Sequence, residues 1–157
     1  MFGGNELNWK QILRDKYSAL VCGISSFLLN MWYYCSLMEI INRFNLEEKL
    51  NHKSGLVLNG KDAFEVLKYY GYDQLIMKAL IGSVLVILFS YILWNCFCKN
   101  MYDYIYYSDY DAYFWLNLAV YVLNICLTVI IFKWIIVLWL IFIIGSFYAA
   151  ANSKSAS

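Results

Sequence analysis

Between Tyr113 and Ala150 the chain reads YFWLNLAVYVLNICLTVIIFKWIIVLWLIFIIGSFYAA, 38 residues with one charged side chain, Lys133. Core helices of water-soluble proteins alternate apolar and polar faces and seldom exceed about 20 residues, whereas a bilayer asks for about 20 consecutive apolar residues per crossing. The stretch therefore predicts an all-α integral membrane protein. A hydrophobic content of 62%, against about 45–50% in soluble proteins, agrees.

The balance of 12 basic and 11 acidic residues, net +1, lacks the basic excess that a nucleic-acid partner would need. There is no proline. Transporters that cycle between states commonly break their spans at proline or glycine to offer backbone groups to a substrate. Uninterrupted helices are expected, and with them a scaffold rather than a pump. The whole chain, residues 1–157, reads as a single membrane domain.

Residues 1–16 lack an apolar signal core and contain Glu6 and Asp15, so no cleaved presequence is expected. Trp9, Ile12 and Leu13 could share the apolar face of a short interfacial helix, with Lys10, Arg14 and Lys16 at the headgroups. The first span is placed at about 17–41. On it Ala19, Gly23, Ser26 and Asn30 recur at spacings of four, three and four, which puts small and hydrogen-bonding side chains on one face. Lipid supplies no hydrophobic drive between helices, so close approach over small residues and interhelical hydrogen bonds must hold them together. Glu39 falls near the aqueous edge of this span.

Residues 42–74 form the main polar loop. Within it Asn59 is a plausible N-cap, Ala63, Val66, Leu67 and Tyr70 make an apolar stripe, and Gly71 suits the position after the last turn. A short amphipathic helix at about 60–70 follows. The second span, about 75–98, has Lys78 and Lys99 at its ends, Trp94 at interface depth, and Gly82, Ser83 and Ser90 as a modest contact face. The connection that follows is crowded with tyrosines and with Asp103, Asp109 and Asp111. It reads as an aromatic belt at the headgroups, with a partner surface as the rival.

Asn117, Tyr121, Asn124 and Thr128 then recur at steps of four, three and four, drawing a polar stripe down an otherwise lipid-like helix. An amide left unpartnered in hydrocarbon is costly, so the stripe should face protein. Lys133 and Trp134 suggest an interface, dividing the remainder into spans at about 114–131 and 134–150. Four spans are the preferred division. Three, with one long tilted helix, is the rival, because no Gly, Pro or Asn marks a turn there. Basic residues distribute evenly over the two sides of the four-span arrangement, so orientation stays open.

The cysteines (Cys22, Cys35, Cys96, Cys98, Cys126) lie in or beside apolar stretches, and His52 is the one histidine. Their spacing suits no metal set, and small buried apolar side chains are expected instead. No haem, zinc or other cofactor is expected, and structural phospholipids such as cardiolipin are the compatible ligands. No hydrolase elbow, P-loop, Rossmann glycine pattern or zinc-protease motif occurs.

The expected function is a non-catalytic accessory subunit of a larger membrane complex. A respiratory or ATP synthase assembly of the mitochondrial inner membrane is the expected setting, the endoplasmic reticulum the alternative. Its partners would be other membrane subunits and lipids, met through Gly23, Ser26, Asn30, Asn117, Tyr121, Asn124 and Thr128. The rival is a small oligomeric transporter or channel, in which Glu39 would be the carboxylate to watch.

Overall fold

The computed structural model describes residues 16–51, 59–107 and 112–154. The expected interfacial helix before residue 16, His52, and the acidic side chains at 109 and 111 lie outside them. The described residues are helical almost throughout, with no strand. The elements are α1 (Lys16–Arg43), α2 (Leu46–Asn51), α3 (Gly60–Tyr70), α4 (Tyr72–Ile92), a π-helical segment (Leu93–Cys98), α5 (Lys99–Tyr107) and α6 (Ala112–Lys154).

Three helical stretches are long and apolar enough to cross a membrane: Tyr17–Arg43, Tyr72–Tyr106 and Ala112–Asn152. They mark the protein as membrane-embedded. The division of the last stretch into two spans is not what the structure has. α6 is one helix of 43 residues passing straight through Lys133, roughly 65 Å long at about 1.5 Å per residue. Its two halves each match a hydrocarbon thickness of about 30 Å, which is why the sequence divides so readily there. A hairpin at this point would strand four N–H and four C=O groups, and nothing in FKWII makes the turn that would satisfy them.

Among the described residues the expectation of uninterrupted helices meets an exception. At Leu93–Cys98 the second long helix widens into π geometry. Asn95 sits in this segment and donates from Nδ2 to the carbonyl of Tyr91 at 3.1 Å, while Lys99 Nζ donates to Asn95 Oδ1 at 3.1 Å. Those side-chain bonds occupy groups that the widened turn disturbs.

The chain divides into two compact units. One is drawn from Met1–Met31 and Leu85–Thr128, the other from Trp32–Val84 and Val129–Ser157. In the first, α1 and α6 run parallel, with Ala19 beside Tyr121 and Asn30 beside Thr128. The helix from α4 through α5 runs antiparallel to α6, since Phe97 stacks on Tyr121 and Tyr104 meets Phe114. Ala19, Phe89, Cys96 and Tyr121 form its buried cluster.

In the second unit, α3 buries Ala63, Val66 and Leu67. Asn59 stands at its N-cap, yet its side chain makes no cap bond; the backbone carbonyl of Asn59 accepts from Ala63 N at 3.0 Å. Gly71 ends the helix at φ 79°, and its N–H donates to Leu67 O at 2.9 Å. Residues with a Cβ avoid that backbone conformation, so glycine suits the turn into α4. The helix lies against α6, where Phe64 meets Tyr148 with ring centroids 5.8 Å apart. Beside it, a Cβ at Gly145 would stand 3.1 Å from the carbonyl oxygen of Ala63.

Backbone cannot yield there as a side-chain tip can. Gly145→Val is therefore expected to destabilise the protein by about 1–3 kcal/mol, in the range of overpacked cores. The melting temperature in detergent should fall by about 2–4 °C for each kcal/mol. A variant that melts with the wild type would remove this contact as a determinant of the docking of α3.

Candidate functional site

The two stripes meet each other. Asn30 is 2% exposed and Asn124 is fully buried; Asn30 Nδ2 donates to Asn124 Oδ1 at 2.7 Å and to Thr128 Oγ1 at 3.2 Å. Asn124 Nδ2 passes the chain on to the backbone carbonyl of Gly23 at 3.3 Å. One turn away, Tyr121 donates its hydroxyl to Ala19 O at 2.9 Å. The aromatic body of Tyr121 lies flat against Phe97, with centroids 4.7 Å apart.

Gly23 lets this happen. A Cβ on it would fall 2.8 Å from Cε2 of Tyr121 and 3.1 Å from Cγ1 of Val120. Its missing side chain brings the α1 backbone close enough for two of its carbonyls, those of Ala19 and Gly23, to accept bonds from α6. These carbonyls already belong to the α1 ladder, so the side chains use their second lone pairs.

Five of the seven residues singled out in the sequence, Gly23, Asn30, Tyr121, Asn124 and Thr128, thus form one contiguous contact. Ser26 is buried at 3% exposure. Asn117 stands apart: it is 1% exposed, and its Nδ2 donates to Tyr113 O at 3.0 Å on its own helix. The polar groups that were expected to seek partner subunits are therefore largely satisfied inside the chain.

Other expectations need correction. Of the modest contact face expected at Gly82, Ser83 and Ser90, Gly82 is buried, and a Cβ there would run into the side chains of Tyr33 and Ile135, whereas the two serine hydroxyls turn back onto their own helix. Each donates to the carbonyl four residues back on its own helix, at 2.8 Å, and Ser90 is exposed. The cysteines are not uniformly buried; Cys96 is, Cys22 is intermediate, and Cys35, Cys98 and Cys126 are exposed. Lys78, expected at the end of its span, also reaches α1. Its Nζ donates to Ser36 O at 3.4 Å, while Tyr33 donates its hydroxyl to Lys78 O at 2.7 Å.

That reciprocal clasp between α1 and α4 was not legible in the sequence, where Tyr33 is one of several aromatics without a periodic partner. Arg43, with its guanidinium 4.5 Å from the Tyr69 ring centre, and the Lys49–Asp62 pair at 3.1 Å were likewise missed. Both pairs join residues far apart in the chain, and no local pattern names such partners.

Chemically, the α1–α6 contact is built from amides, a phenol and a hydroxyl. Such neutral groups hold a position but do not exchange protons readily near neutral pH. Among the described residues no three His, Cys, Asp or Glu side chains converge as a metal set requires. A hollow of about 330 Å³ opens at the α1–α2 turn, lined by Ile41, Asn42, Asn45, Glu47 and Glu48.

Asn30→Leu and Asn124→Leu are each expected to lower stability in detergent. The double variant should lose less than the sum, with a coupling of about 0.6 kcal/mol and at most about 1.7 kcal/mol, as for hydrogen bonds between membrane helices. Additive losses in thermal melts of the four proteins would show that the amide pair contributes no joint stability. Comparison of the chain with protein-family models, with curated proteins and with solved structures finds no match.

Proposed function

We propose that this protein is a non-catalytic helical subunit of a larger membrane assembly, contributing helix-to-helix contacts and lipid binding. The observation that carries the reading is the closure of the Asn30–Asn124–Thr128 network inside the first unit. Amides that a solute path would use are committed to holding two helices together. The outward surface of the same helices is instead large and apolar: Val21, Leu28 and Trp32 on α1, Leu123, Val129 and Phe132 on α6 are all more than half exposed. That surface suits acyl chains and neighbouring spans.

At the tyrosine-rich α5, Tyr102 and Tyr106 are 68% and 70% exposed and stack on each other at 6.2 Å. Rigid amphipathic rings of this kind serve a headgroup boundary or a partner's loop. The mitochondrial inner membrane, in a respiratory or ATP synthase complex, is the proposed setting, and the endoplasmic reticulum is the alternative.

One observation favours a second reading, a small oligomeric transporter or channel. The π-helical segment at Leu93–Cys98 is the kind of irregularity that often accompanies functional sites in helices. Glu39, its candidate carboxylate, is exposed near the end of α1.

Purification of the tagged chain in mild detergent is expected to bring stoichiometric membrane subunits with it, and organelle fractionation to place that complex. Recovery of the chain with lipid alone, together with solute uptake by vesicles holding only this protein and its loss in Glu39→Gln, would replace the subunit reading by the transporter.

A further inference from the structure

Two buried amides of the first unit stand outside the α1–α6 network. Asn100 on α5 is 5% exposed and Asn117 on α6 is 1% exposed. Nδ2 of Asn100 and Oδ1 of Asn117 are buried without a hydrogen-bond partner among the described residues. One is a donor and the other an acceptor.

Helix register brings them to one level. Phe97 stacks on Tyr121 at 4.7 Å, and Tyr104 meets Phe114 edge-on at 5.4 Å, so these two pairs bracket a stretch of the same antiparallel interface. Asn100 lies three residues after Phe97 and four before Tyr104; Asn117 lies three after Phe114 and four before Tyr121. Steps of three and four keep to one helix face. Both amides therefore occupy the facing surfaces of α5 and α6, between two aromatic pairs.

A buried donor and a buried acceptor facing one another without a direct bond are each costly to leave unmet. Polar gaps of this kind are where proteins hold single waters, which satisfy two to four buried groups at once. We infer that one water molecule binds between Asn100 and Asn117, accepting from Asn100 Nδ2 and donating to Asn117 Oδ1. This bridge locks the level of α5 against α6. The ligand is water because its single oxygen both accepts and donates.

The test uses the full chain in lipid nanodiscs, labelled with ¹⁵N-asparagine, with magnetisation transferred from water in solid-state NMR. The Asn100 side-chain signal, identified by its loss in Asn100→Leu, is expected to receive water magnetisation earlier than the backbone amides of the buried Asn117 and Asn124. In Asn117→Leu that early transfer should drop several-fold. Transfer no faster than to those backbone amides, or a direct Asn100–Asn117 contact without water transfer, overturns the inference.

Thermal melts supply the second arm. Each single leucine variant is expected to lower the melting temperature by about 2–4 °C, the shift for one lost hydrogen bond in a chain of this size. The double variant should fall by clearly less than the sum, because removing the second amide also removes the group that the first change left unmet. Strictly additive shifts overturn the bridge.

Discussion

The hydrogen bond from Asn30 to Asn124 at 2.7 Å is the interaction on which the first unit depends. In a lipid-like interior apolar contact does little to prefer one neighbour over another, because acyl chains offer nearly the same contact as leucine. A buried amide is different. It must find a partner or carry its full desolvation penalty, so it selects one rotation and one level of the opposing helix. Once Asn30 and Asn124 are joined, Thr128, Gly23 and Tyr121 fall into reach, and the small cross-section of Gly23 makes the approach geometrically available.

The second unit reaches the same end by other means. Tyr33 and Lys78 exchange bonds with backbone carbonyls of the opposing helix, and Arg43 lies over Tyr69. The short helix α3 contributes packing, since Ala63, Val66 and Leu67 are completely buried while Lys61, Glu65 and Lys68 stay exposed. Charged residues here are spent on positioning aromatic and backbone groups near the polar loop. Neutral amides do the corresponding work in the first unit.

This distribution of polarity bears on function. Committed amides and clasped backbone carbonyls tie α1 to its neighbouring helices, which supports the proposed subunit reading. The π-helical turn at Leu93–Cys98 is the departure from that regularity, and it sits beside the contact: Cys96 is fully buried and Phe97 lies on Tyr121. Both side chains of the widened turn are thus packed beside Tyr121 of α6.

Much was legible in the residues alone. The run from Tyr113 to Ala150 determined a lipid-embedded helix, because no aqueous fold hides so much apolar side chain, and the three- and four-residue steps from Asn117 to Thr128 determined which side of that helix is polar. Periodicity names a face but never the surface opposite, so only the tertiary structure decided that Asn30 meets Asn124 and that Tyr33 meets the Lys78 carbonyl. The continuity of α6 through Lys133 belongs there as well. One charge in an apolar run signals a boundary equally well as a turn or as a side chain extending from an unbroken helix. The backbone's own hydrogen bonds, unbroken by any proline or glycine at that point, resolve it.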